Sequence, residues 1–146
     1  AVAKGFELIQ FHELPQDRLD SVDAYIKVQE PVPSPYLNPD GSMTAAALRG
    51  KKIFEGKAAC VKCHTPPYHS DKKKYTFGLG SDSERDRPFA TPILIEVWRT
   101  APYMYDGRAV TIQDVITTDN VNNKHGNTRD LTPDEVEDLA EYVNSL

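Results

Sequence analysis

Proline limits this chain more than any other residue. Eleven prolines and eight glycines are scattered through 146 residues, and a proline inside a helix removes an amide hydrogen bond and clashes with the turn before it. Long helices and central strands are therefore excluded over much of the length, which leaves few helices joined by long connections. The hydrophobic content is a modest 39%, yet a chain of this size can bury a core without disulfide staples. Its longest run of large aliphatics, Ile93-Leu94-Ile95, is far too short for a membrane span. Seventeen Lys and Arg against 22 Asp and Glu leave a net charge of −5, which argues against a nucleic-acid partner.

Residues 1 to 14 have mixed polarity and no clear period. Pro15 can open a helix, and Leu19, Val22 and Ile26 then form one apolar stripe with Asp17, Asp20 and Asp23 outside it. Pro31-Val32-Pro33-Ser34-Pro35 stops that helix. A turn at Asn38-Pro39-Asp40-Gly41 leads to a second helix from about Thr44 to Lys57. Residues 60 to 91 read as loop, and residues 92 to 99 fit a short helix or a strand equally well. Thr111 to Thr118 reads as a short helix, and Asn120 to Arg129 as polar loop. The clearest element is the last. Thr132-Pro133-Asp134-Glu135 combines an N-cap, a first-turn proline and a capping-box glutamate, followed by the stripe Val136, Leu139, Ala140, Val143 and Leu146.

The two cysteines of the chain stand in Cys60-Val61-Lys62-Cys63-His64, the C-x-x-C-H spacing of a c-type haem attachment site. On one helical turn the two sulfurs can each reach a vinyl group of the porphyrin, and His64 is carried over the iron as its ligand. A redox dithiol would call for a βαβ context, and a zinc site for a second ligand pair close by. Only His69 offers itself for the latter. The cofactor implied is one haem c, bound covalently through Cys60 and Cys63.

A helix, C-x-x-C-H, a long irregular middle and an amphipathic terminal helix together resemble a class I cytochrome c domain. The stretch Trp98-Arg-Thr-Ala-Pro-Tyr-Met-Tyr-Asp-Gly-Arg108 resembles the T-A-P-Y-x-H-D-G segment in the C-terminal domain of bacterial dihaem cytochrome c peroxidases and of the related methylamine-utilisation haem proteins. The likeness extends from about Pro31 to Leu146 and is loose outside those two blocks. It implies an all-α, class I cytochrome c fold, with few helices and long irregular loops around one covalently bound haem. Residues 36–146 would form that domain and residues 1–35 an N-terminal extension. The stretch from Leu19 to Pro35 looks like the end of a preceding haem domain, so the chain reads as the terminal module of something larger. Two departures stand out. Tyr105 occupies the place where the family usually has His, and there is one C-x-x-C-H where the peroxidases need two haems.

Several residues compete for the iron face opposite His64. Met43 and His12 lie upstream, where the family places no distal ligand, and His69 would have to cross the ring from a tight loop. Met104 follows His64 by 40 residues and His125 by 61. His125 lies in a turn-like stretch just ahead of the terminal helix, about where class I cytochromes, and the electron-storing haem of the peroxidases, place their distal Met. His125 is the preferred ligand and Met104 the alternative; two histidines would give a lower potential than His and Met. Haem propionates need cations or donors, for which Arg99, Arg108, Trp98 and Tyr103 are candidates. Phe54, Ile93, Leu94, Leu139 and Val143 are expected to wall the pocket.

These residues point to a single-haem electron-transfer domain that exchanges electrons with a redox partner protein or a preceding domain. Covalent haem attachment usually takes place outside the cytoplasm, so the periplasm or another extracytoplasmic site is expected. No general base or nucleophile stands out. The alternative is catalytic: part of a dihaem peroxidase-like enzyme with an open-coordination haem.

Overall fold

The computed structural model describes residues 2–80, 82–120 and 123–146. The chain divides into two compact units, Ala1–Pro31 and Val32–Leu146.

The first unit holds α1 (Val2–Leu8) and α2 (Gln16–Lys27). No residue of either helix is buried. A helix opening at Pro15 fits the sequence reading, whereas α1 falls within the stretch read as having no clear period.

The second unit is built on α3 (Ala45–Glu55), α4 (Ile112–Ile116) and α5 (Pro133–Asn144). Each begins at a threonine whose hydroxyl accepts an amide of the first turn, from Ala47 at Thr44, Asp114 at Thr111 and Glu135 at Thr132. The boxes at Thr111 and Thr132 are reciprocal, the acidic side chain accepting the threonine's own N–H. A two-stranded antiparallel ladder, β1 (Lys74–Tyr75) with β2 (Phe89–Ala90), departs from the purely α-helical expectation. It closes the neck of the long loop that follows the cysteine motif. A 3₁₀ turn at Val97–Arg99 settles residues 92–99 as turn rather than strand.

Helices α3 and α5 cross closely and carry most of the core. Gly50 sits at the crossing, where a Cβ would lie 1.9 Å from the Asp138 carbonyl oxygen. Phe54 and Leu139 are almost wholly buried between the helices, beside Ala47, Ala140 and Tyr142. Arg49 makes a two-pronged contact with Asp138 at 2.7 and 2.6 Å, and Lys57 meets Glu135 at 2.6 Å. Residues 32–35 are strapped onto this unit: the Ser34 hydroxyl donates to the Asn144 carbonyl at 2.5 Å, and the Val32 N–H to Glu96 at 2.6 Å. Among the described residues no helix is long and apolar enough to cross a membrane.

Candidate haem site

The cysteine motif follows directly from the end of α3. Ala59 turns the chain with φ of +57°, and Cys60–Lys62 coil into one 3₁₀ turn closed by the Cys63 N–H on the Cys60 carbonyl at 3.2 Å, to which the His64 N–H also donates at 2.9 Å. Cys60 and Cys63 are not joined in a disulfide. Burial pushes the Cys60 thiol up to about 11. His64 is 8% exposed, and its Nδ1 lies 3.0 Å from the His69 carbonyl oxygen. A carbonyl can only accept, so Nδ1 carries the proton and the Nε2 lone pair is left for a metal. Burial also holds the His64 pKa below its ordinary value, keeping the ring neutral as a ligand must be.

These groups open onto a cavity of about 690 Å³, in the range that takes a large organic cofactor. Phe54, Ile93, Leu94, Leu139 and Val143 all line it, together with Cys60, Cys63 and His64. His125 lines it as well, its ring centre 6.1 Å from that of His64 and inclined by 61°. A metal–imidazole bond of about 2 Å on each side, with each ring centre about 1 Å further out, puts two rings on one ion roughly 6 Å apart. The spacing of the two histidines therefore suits a shared iron. Burial, and then the neighbouring His64, push the His125 pKa down to about 4, so it too is neutral. Met104, with φ of +67°, lines the same cavity on a loop closed by the Tyr103–Ala109 bridge. The residues fit the group. Two thiols and one oriented imidazole form one wall, a second imidazole stands with its ring centre 6.1 Å from the first, and the remaining lining is largely apolar. Among the described residues no group of three or more His, Cys, Asp or Glu side chains could hold a metal ion by itself.

The four residues expected at the propionates separate. Tyr103 lines the cavity, but its hydroxyl donates to the Val97 carbonyl at 3.2 Å. Trp98, Arg99 and Arg108 are not among the lining residues. Arg99 is engaged by Glu96 at 2.7 Å, and Arg108 by the Leu79 carbonyl, Asp106 and Asp119. Trp98 keeps a buried Nε1–H with no acceptor among the described residues. Sequence reasoning missed Lys124, which reaches the cavity beside His125. It also missed Asn120, buried beneath the His125 turn. Both sit in a stretch of Asn, Lys and Gly that carries no signal beyond "polar loop".

Residues 47–146 match the sequence model of the cytochrome c family, whose members carry covalently bound haem c. The gamma subunit of hydrazine synthase from Kuenenia stuttgartiensis is 30% identical over 172 aligned positions, covering 88% of this chain and 49% of that protein. Cytochrome-c peroxidase IdrP1 of Denitromonas iodatirespirans is 28% identical, covering 72% of this chain and 41% of its own. A solved structure of Kuenenia stuttgartiensis hydrazine synthase, pressurised with xenon, superposes with a TM-score of 0.78 at 26% identity, over 99% of this chain and 60% of that one. The chain spans about half the length of the curated relatives it matches. Because the family match runs from within α3 to the last residue, taking in the cysteine motif and His125 alike, the chain belongs to the cytochrome c family.

Proposed function

We propose that this chain is a single-haem, class I cytochrome c electron-transfer domain. Residues 36–146 form the haem domain and residues 1–35 an extension, the whole being a module of a larger redox protein. The haem is bound through Cys60 and Cys63, with His64 on one face and His125 on the other. The observation that carries this is the 6.1 Å separation of the two imidazole centres across a largely apolar cavity. When bound, haem c supplies reversible one-electron exchange between Fe(III) and Fe(II). The protein's own contribution is to fix both rings, keep them neutral and exclude water. A closed, low-dielectric site of that kind favours electron exchange over ligand chemistry. Arg99, Arg108, Trp98 and Tyr103 stay the propionate candidates, and Trp98 keeps a buried N–H without an acceptor among the described residues. The redox partner is a protein or a preceding domain, and the location is periplasmic or otherwise extracytoplasmic, where haem is attached.

Expression with a haem-attachment system tests the reading. The expected product has the mass of the chain plus one haem, resistant to acid–acetone extraction, and gives a single one-electron wave on redox titration. Cys60→Ser and Cys63→Ser should each leave a single thioether, and the double variant none. Extractable haem in the unaltered chain would refute covalent attachment.

The relatives' names give the second reading its footing: one is a cytochrome-c peroxidase and another an enzyme subunit, and the match covers 41% and 49% of their lengths. Under that reading the chain is part of a dihaem enzyme with an open-coordination haem. A high-spin ferric spectrum and peroxide turnover by the chain would favour it.

A further inference from the structure

His125 is set in place by its backbone, and one buried side chain orders much of that backbone. Asn120 is 6% exposed. Its Oδ1 accepts the His125 N–H at 2.7 Å. Its Nδ2 faces the His125 carbonyl at 2.9 Å, the Gly126 carbonyl at 3.1 Å and Thr128 Oγ1 at 2.6 Å. Two amide hydrogens are thus shared among three acceptors, and the side chain has no donor to spare. The Thr128 hydroxyl passes the restraint on by donating to the Ile116 carbonyl at 2.6 Å, at the end of α4. From the other side, the Asn127 N–H donates to the Ala58 carbonyl at 3.0 Å, two residues before Cys60. Gly126, with φ of +81°, lets the chain pass close: a Cβ there would lie 3.1 Å from the same carbonyl oxygen. The turn that carries His125 is therefore fastened both to α4 and to the segment that carries His64.

We propose that Asn120 is the positioning residue for His125, the clamp that holds this imidazole on the iron and keeps the sixth position closed to outside ligands. The proposal rests on His125 being the axial ligand. A polar turn left to itself would sample many conformations, at an entropic cost for each residue fixed, and a ligand held that loosely would spend part of its time off the metal. Only an amide satisfies the turn, since it must accept from one N–H and donate to several oxygens at once. A carboxylate at the same place would keep the acceptor and set like charge against two carbonyls.

The test uses the full, haem-loaded chain in the ferric state, with cyanide as the outside ligand and absorption and EPR spectra as the report of spin state. Apparent cyanide affinity scales with the fraction of molecules whose sixth position is open. The unaltered protein should be low-spin and bind cyanide weakly, and His125→Ala should be high-spin. Asn120→Ala and Asn120→Asp should each show a high-spin fraction and bind cyanide at least about tenfold more tightly than the unaltered chain. Ser34→Ala removes another buried hydrogen bond, to Asn144, and should leave spin state and cyanide affinity unchanged. If Asn120→Ala does not fold, Asn120→Asp decides. If His125→Ala opens the site while the Asn120 variants stay low-spin with unaltered cyanide affinity, the clamp is overturned and the ligand assignment stands. If His125→Ala itself stays low-spin, the assignment falls and the clamp with it.

Discussion

At the scale of single residues, the site is a matter of which atoms are spent and which are free. The His69 carbonyl accepts a hydrogen bond from Nδ1 of His64 and so leaves Nε2 free, a backbone group that no motif reveals thereby orienting the ring. Arg99 and Arg108 are committed to carboxylates and a carbonyl, whereas the Trp98 N–H has no partner among the described residues. A buried donor left unmade costs about 1–3 kcal/mol, so a propionate acceptor would satisfy a standing need. Replacing Trp98 by Phe keeps the ring and removes the donor. If the donor faces a propionate, negative charge near the iron is then less compensated and Fe(III) is favoured. The midpoint potential of Trp98→Phe should fall by roughly tens of millivolts in a spectroelectrochemical titration. An unchanged potential would leave Trp98 as packing alone. Cys60, Cys63 and His64 were legible because covalent attachment demands a fixed spacing. Asn120 was not, because its partners are backbone atoms of a turn whose shape the sequence does not announce.

At the scale of elements, α3 and α5 were legible because each carries its own start signal and an apolar stripe. The ladder of β1 and β2 was not: two-residue strands are too short to show alternation, and their pairing is long-range. Gly50 also looked ordinary until the helices met. Gly50→Ala drives a methyl into the Asp138 carbonyl and forces the helices apart. A loss of about 3 kcal/mol, or roughly 10 °C in melting temperature, is expected, and a melting temperature within a degree of the parent would contradict the close crossing. The caps make an acid-sensitive set. Hydrogen bonds from Lys57 and Thr132 hold the Glu135 carboxyl below its usual range, and Thr111 does the same for Asp114. A depressed folded-state pKa contributes stability above the unfolded value and loses it as pH falls. The melting temperature should be flat from neutrality to about pH 5 and drop below about pH 4. Glu135→Gln should flatten that drop; an unaltered acid profile would remove the box from the account.

At the scale of the whole molecule, the core, the cavity and the two histidines all lie within Val32–Leu146. Neither helix of the first unit buries a residue. Deleting residues 1–31 should therefore leave the haem spectrum unchanged and the melting temperature within about 2 °C. A larger drop would show that the first unit supports the second. The covalent link matters at this scale too, since a modest core then has a large rigid group built into it and no binding equilibrium to maintain.

The most direct measurement is the low-temperature EPR spectrum of the ferric, haem-loaded chain, taken with its near-infrared absorption. A low-spin signal of bis-histidine type, with no methionine–iron charge-transfer band and lost in His125→Ala, is the predicted result. A charge-transfer band would move the axial ligand to Met104, and a high-spin spectrum would contradict the closed site on which the electron-transfer reading depends.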